Sequence, residues 1–194
     1  MVRGTFEPGV ANEQLRRGRV PSDSYWYCHC ASLPRCADAR RSEGKAGGRS
    51  RLCTTAVENV IEANTLLSSI GFENCGCSAA HGMHGGLTAL SETRGMLHGE
   101  NVAFGTLCLL MLENRPIQEI EEMIRFCEQV ALPTTLAELG LTGDLRYYAN
   151  RIAEASLAEG ESTRACPVDV SVALVSDSIL AVDATTTRMR AARH

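Results

Sequence analysis

The sequence predicts an all-helical bundle over residues 54–194, preceded by an irregular or disordered segment over residues 1–53. Three observations favour this assignment. Apolar residues recur at spacings of three and four along most of the chain after Cys53. No stretch there alternates apolar and polar residues over the length of a strand, apart from short ambiguous runs. Before Cys53, proline, glycine and charged residues are dense and neither period is sustained.

Three helices are expected in the first part of the bundle. AVENVIEANTLLSSI predicts a helix that Gly71 ends, and one face of it carries Val57, Val60, Ile61, Asn64 and Leu67. SAAHGMHGGLTAL predicts a second, glycine-rich helix. GENVAFGTLCLLMLEN is apolar around most of its circumference, which is typical of a central, buried helix.

The second part of the bundle is expected to bring the total to about six or seven helices. PIQEIEEMIRFCEQVAL begins at Pro116, a residue tolerated in the first turn, and Pro133 closes it. Its predicted apolar stripe consists of Ile117, Ile120, Ile124, Cys127 and Ala131. TLAELG predicts a short, turn-like helix. Two more helices are expected in DLRYYANRIAEASLAEG and VSVALVSDSILAVDATTTRMR.

The composition is that of a globular chain rather than a membrane protein. The apolar fraction of 44% is ordinary, and no apolar run reaches the roughly 18 residues that a bilayer span requires. The N-terminal residues are basic without a following apolar segment, so a secretory signal is not expected and the cytoplasm is the expected location.

Charge and cysteine content narrow the classes further. Residues 1–53 carry ten Lys/Arg and five Asp/Glu, within a chain of formal net charge −4. This basic segment lacks the interleaved aromatic residues of single-strand binders, so no nucleic-acid partner is expected. The nine cysteines are irregularly spaced, and Cys108 and Cys127 lie in apolar helical patterns typical of free core cysteines. CHCASLPRC, residues 28–36, fits no zinc-finger spacing.

Three of the five histidines lie in AAHGMHGGLTALSETRGMLHGENVAFG, residues 79–105. His81 and His84 are three residues apart and therefore share a helix face. His98 begins the next helix, so two helices joined by a loop can direct His81 and His98 to one point. Neutral imidazole is a good ligand for zinc and iron. The spacing alone leaves two interpretations open: a metal site, or ordinary packed and solvent-facing histidines.

Several segments carry a resemblance to a known family. VIEANTLLSSIGFEN, AAHGMHGGLTAL and HGENVAFGTL, in this order, resemble the C-terminal half of the glycerol dehydrogenases, in the metal-dependent (iron-containing) alcohol dehydrogenase family. The resemblance continues through LPTTLAELGL, AEASLAEGES and PVDVSVALVSDSILAVDA and covers roughly residues 54–185. It implies the helical, metal-binding C-terminal domain of the dehydroquinate-synthase-like fold.

The resemblance also implies a reaction and a set of site residues. The reaction is NAD-dependent oxidation of glycerol, or a related vicinal diol, to dihydroxyacetone, with a divalent metal polarising the hydroxyl group. The metal, typically zinc, is held in this family by an aspartate and two histidines, and the histidine positions correspond to His81 and His98. Phe72 and His84 correspond to positions beside the substrate, although a core aromatic and a helix histidine with a local hydrogen bond explain them equally. The family also forms oligomers, which implies a homo-oligomer through the helical domain.

The sequence departs from the family in its cofactor-binding part. Residues 1–53 contain no βαβ unit, so no cofactor-binding residue is assigned, and no catalytic residue is assigned beyond the metal. Asp23 and Asp38 lie in no segment that resembles the family's aspartate motif. The chain is therefore expected to be a truncated form, and the activity of the isolated chain stays open. The alternative function is a non-catalytic helical remnant that binds metal weakly or associates with dehydrogenase subunits.

Overall fold

The computed structural model describes residues 54–62, 65–66, 73 and 76–193. Two compact units are present, Met1–Gly76 and Cys77–His194. The described residues are helical wherever they are regular and include no strand, which confirms the predicted all-α class. None of their helices is both long and apolar enough to cross a bilayer. The expected irregular segment 1–53 and Phe72 lie outside the described residues, and the boundary expected after residue 53 stays a prediction.

In the first unit, helix α1 spans Thr55–Glu62. Thr54 caps it, because its hydroxyl oxygen accepts a hydrogen bond from the Val57 N–H at 3.3 Å and its carbonyl accepts one from the Glu58 N–H at 2.9 Å. Val57 is half-buried, whereas Ile61 is 54% exposed. Part of the predicted apolar face of this helix is therefore exposed.

The second unit contains five α-helices over its described residues 77–193. They are α2 (Ala79–Thr88), α3 (His98–Leu112), α4 (Ile117–Gln129), α5 (Leu145–Ser156) and α6 (Val172–Ala191). Short 3₁₀ turns at Ser91–Thr93, Ala137–Leu139 and Ser162–Ala165 lie between them. Helix α2 packs against α3, α5 and the last of these turns, while α3 also packs against α4 and α6. Helices α2 and α3 thus form the centre of the unit.

The core follows the sequence patterns closely in the middle of each helix and less well at the ends. Phe104, Leu107 and Cys108 are buried in α3, as expected for the central helix. The stripe of α4 is buried at its middle positions only, because Ile117 at its start is 40% exposed. At the other end, the helix stops at Gln129 and Ala131 adopts a positive φ of 63°. The predicted extension of the stripe to Ala131 is therefore wrong.

Glycine residues let the neighbours of α2 approach it closely. A Cβ atom built at Gly105 of α3 would overlap the carbonyl oxygen of Ala80, and one at Gly86 would overlap the carbonyl oxygen of Ile152 in α5. Since real side chains do not tolerate such contacts, both helix pairs depend on glycine at these positions. The glycine-rich sequence of α2 therefore sets the distance between the central helices.

Polar contacts fasten the last turns of α6 to the rest of the unit. The Arg190 guanidinium donates from Nε to Glu128 Oε1 at 2.8 Å and from Nη2 to Glu138 Oε1 at 2.8 Å. One helical turn or more earlier, the Asp183 carboxylate accepts a hydrogen bond from the Leu136 N–H at 2.7 Å. These contacts join α6 to α4 and to the segment that contains the Ala137–Leu139 turn.

Candidate metal centre

The three clustered histidines lie where α2 and α3 begin. His81 and His84 occupy the first half of α2, whose first turn is closed by the His81 N–H donating to the Ser78 carbonyl at 3.1 Å. His98 is the first residue of α3. That helix start is fixed because the Leu97 N–H donates to the Glu100 carboxylate at 2.6 Å. Each imidazole is thus attached to a defined helix terminus rather than to a loop.

The structure brings all three imidazoles together. His98 Nδ1 lies 3.1 Å from His84 Nε2, and these two ring centroids are 4.3 Å apart at an interplanar angle of 68°. The His81 and His98 ring centroids are 5.6 Å apart. The sequence pattern directed His81 and His98 to one point, whereas the imidazole closest to His98 in the fold is that of His84.

The surroundings favour uncharged imidazoles at two of these positions. Burial lowers the pKa of His81, and the neighbouring His98 and His84 lower it further. Burial also lowers the pKa of His84, with a contribution from His98, while the Glu161 carboxylate acts in the opposite direction. Neutral imidazole is the form that binds a metal ion, so the cluster is in a ligand-competent state near neutral pH.

Glu161 is a neighbour of the cluster that the sequence did not reveal. Its carboxylate packs against Gly85, where an added Cβ atom would lie 2.6 Å from Glu161 Oε2. Gly160, with a φ of 90°, turns the chain just before it, and the Ser162–Ala165 turn that follows packs on α2. Glu161 is distant from His84 along the chain, so no local spacing connects the two residues.

The donor set was compared with what a zinc ion requires. Two nitrogens bound to one tetrahedral zinc at 2.0–2.1 Å lie about 3.3 Å apart. The 3.1 Å between His84 Nε2 and His98 Nδ1 is close to this value, so the pair fits two neighbouring ligand positions. Over residues 54–62, 65–66, 73 and 76–193, no group of three or more His, Cys, Asp or Glu side chains is arranged to hold a metal ion. Phe72, Asp23 and Asp38 lie outside these residues.

The histidine cluster opens directly to solvent. His81 and His98 are exposed and His84 is half-buried, while the Leu97 side chain beside them is 70% exposed. A cleft of about 650 Å³ borders the same end of α3 through Met96 and Glu100, but no cluster histidine is among its described lining residues. An ion or a small substrate can therefore reach the imidazoles without passing through that cleft.

Comparisons with known proteins place this helical unit in a family. No protein-family model matches the sequence. The glycerol dehydrogenase of Citrobacter freundii is 42% identical over 151 residues, which is 76% of this chain and 41% of that protein. The crystal structure of a probable glycerol dehydrogenase from Sinorhizobium meliloti superposes with a TM-score of 0.77 and 52% identity, over 82% of this chain and 45% of that one. The chain is a partial homologue of the glycerol dehydrogenases.

A relative with a different name marks the breadth of this similarity. The glycolaldehyde reductase of Halobacterium salinarum is 44% identical over 137 residues, covering 71% of this chain and 38% of that protein. The chain thus spans less than half the length of the glycerol dehydrogenases and the reductase that it matches. The comparisons confirm the resemblance seen in the sequence segments, and the helices agree with the C-terminal helical domain of that fold.

Proposed function

We propose that this chain supplies the metal-binding site of an NAD-dependent polyol oxidoreductase, with glycerol or a related vicinal diol as substrate. In this proposal His81 and His98 hold a divalent metal ion, which is zinc by the family resemblance. The main support is the convergence of imidazoles from two different helices, with His81 and His98 centroids 5.6 Å apart. The similarity to glycerol dehydrogenases supports the substrate class.

The proposed chemistry divides between the ion and the protein. A bound divalent metal supplies Lewis acidity toward the substrate hydroxyl oxygen. The protein holds the ion at the helix termini and leaves the site open to solvent on the side of His81 and His98. Oxidation then breaks the carbinol C–H bond, with the hydride passing to NAD and the hydroxyl proton passing to solvent. By resemblance, Phe72 and His84 lie beside the substrate, and NAD requires a binding site for which this chain offers no assigned residue.

The alternative is a non-catalytic helical domain that binds metal weakly or associates with dehydrogenase subunits. It is favoured by one observation, namely that the matched relatives are more than twice as long as the stretch they share with this chain. Hydride transfer needs the nicotinamide held against the substrate carbon. Self-association through the helical domain, which the family resemblance implies, is proposed under either function and is measured by analytical ultracentrifugation.

The deciding experiment is NAD reduction by the purified full chain with saturating glycerol and added zinc, beside a His81→Ala variant. Zinc-dependent formation of NADH that is lost in the variant supports the oxidoreductase. A chain that is folded by circular dichroism and binds zinc, yet forms no NADH, contradicts catalysis and supports the metal-binding helical domain.

A further inference from the structure

We propose that His84 is a third imidazole ligand of this metal site, so that the second unit builds a three-histidine site from its own helices. The inference rests on the proposed metal site at His81 and His98 and goes beyond it. It replaces the substrate-side position that the family resemblance gives His84. It also removes the need for a carboxylate ligand from another part of the chain.

The position of His84 relative to His98 is the first reason. Their facing nitrogens, His84 Nε2 and His98 Nδ1, lie 3.1 Å apart and share a hydrogen bond in which one ring donates and the other accepts. A zinc ion that takes the place of that proton would meet two nitrogen lone pairs at the separation that tetrahedral coordination needs. A residue that only lined a substrate pocket would not need its ring nitrogen directed at a metal ligand.

The geometry of α2 is the second reason. His81 and His84 are three residues apart in a continuous helix, so both imidazoles leave the same face and point toward the start of α3. His81 is exposed, so its ring can change rotamer without displacing a packed neighbour. The His81 and His98 ring centroids already lie 5.6 Å apart. A change in the His81 side chain, with the two helices fixed, is what the site requires to gain its third nitrogen.

The rigidity of the supporting helices is the third reason. The close contact of Gly105 with Ala80 fixes α3 against α2, so His84 and His98 are held at their separation by the packed core. The carboxylate of Glu161, packed on Gly85, adds a negative charge beside the three neutral rings. A divalent cation is favoured at such a position. Three protein ligands leave a fourth position open, as catalytic zinc sites require.

The test is zinc affinity, measured by isothermal titration calorimetry on the purified full chain and on His81→Ala, His84→Ala and His98→Ala variants. Loss of an outer-shell residue typically costs 10- to 100-fold in metal affinity, so loss of a direct ligand should weaken zinc binding about 100-fold or more. Thr88→Ala is the matched control, since Thr88 is exposed on the same face of α2 one turn beyond His84. The control is expected to bind zinc as the unmodified chain does.

Cobalt spectroscopy gives a second readout that does not depend on affinity. The visible absorption of bound Co²⁺ reports the number and type of its ligands, so His84→Ala should change the spectrum even at saturating cobalt. His84→Gln serves where the alanine variant does not fold. A triple His81, His84 and His98 to alanine variant measures zinc held elsewhere, including the CHCASLPRC cysteines.

The outcomes separate this inference from the proposed function. Zinc affinity lost in all three single variants, with a changed cobalt spectrum in His84→Ala, supports the three-histidine site even if no NADH is formed. Unchanged affinity and spectrum in His84→Ala, with losses in the other two, overturns the inference and leaves the proposed two-histidine site intact. Zinc binding that survives in the triple variant, or that is absent from the unmodified chain, overturns both.

Discussion

At Gly82, a single hydrogen atom stands where any other residue would place a carbon. The Cβ atom of an alanine there would lie 2.6 Å from the Thr163 backbone nitrogen and 2.8 Å from Thr163 Cβ. Thr163 is fully buried, so it has no space into which to move. The contact joins the face of α2 next to His81 to the Ser162–Ala165 turn, and hence to the segment that carries Glu161.

We predict that Gly82→Ala destabilises the chain by about 2 kcal/mol, because overpacking a closed contact typically costs 1–3 kcal/mol and exceeds the gain in helix propensity. The control is Gly99→Ala in α3, where nothing lies within 4 Å of the added Cβ atom. That control is expected to be neutral or to stabilise the chain by up to about 1 kcal/mol. Urea denaturation gives both values. Equal stability of the two variants would show that Thr163 moves aside.

At the level of elements, the end of α6 is held by carboxylates whose ionisation matters. Burial acts to raise the pKa of Glu138, but hydrogen bonds from the Thr134 N–H and from Arg190 outweigh it and lower the pKa. Burial likewise acts to raise the pKa of Glu128, and hydrogen bonds from Arg190 and Arg193 outweigh it. A carboxyl group with a lowered pKa in the folded state binds fewer protons than in the unfolded chain. Its contribution to stability is present above the ordinary pKa of about 4.3 and is lost as the pH falls through the lowered value.

Replacing Glu138 by glutamine should therefore flatten the acid side of the stability profile. The free energy of unfolding of Glu138→Gln is expected to be about 1 kcal/mol below that of the unmodified chain at pH 7, since the charged contacts to Arg190 are partly exposed. Below about pH 4 the difference should shrink, because the protonated glutamate has lost the same charge. Denaturation curves across this range measure it, with Glu154→Gln at an exposed position of α5 as the control. A difference that stays constant with pH would exclude this linkage.

At the level of the whole molecule, a metal ion held by α2 and α3 would connect the two central helices of the unit. Any ligand that binds only the folded state stabilises it by RT ln(1 + [L]/Kd), or about 2.7 kcal/mol when its concentration is 100 times Kd. Because the proposed ligands come from two helices, unfolding of the unit must destroy the site.

We accordingly predict that zinc at about 100 times its Kd raises the free energy of unfolding by about 2.7 kcal/mol, and that a chelator removes the effect. A His81→Ala/His98→Ala double variant should show no such stabilisation. Chemical denaturation with zinc and with chelator is the measurement. The same gain in the double variant would assign the stabilising ion to another part of the chain.

The sequence by itself determined the helices and the face that most of them bury. Spacings of three and four identified α3 as the central helix and located the buried middle of α4, because burial along one helix is a local, periodic property. The ends were less predictable. Ala131 continues the apolar spacing of α4, but its left-handed backbone turns the chain away after Gln129.

For the candidate site, the sequence supplied the three histidines and the resemblance to glycerol dehydrogenases, while the pairing was decided in three dimensions. The separation of His84 from His98 depends on how closely α3 approaches α2, which Gly105 and Ala80 set. The approach of Glu161 to Gly85 depends on a turn far along the chain. Helical periodicity states which side of a helix faces inward, but it carries no information about the distance or rotation between two helices. Those quantities are set by side-chain packing, so only the tertiary structure fixes which imidazole faces which.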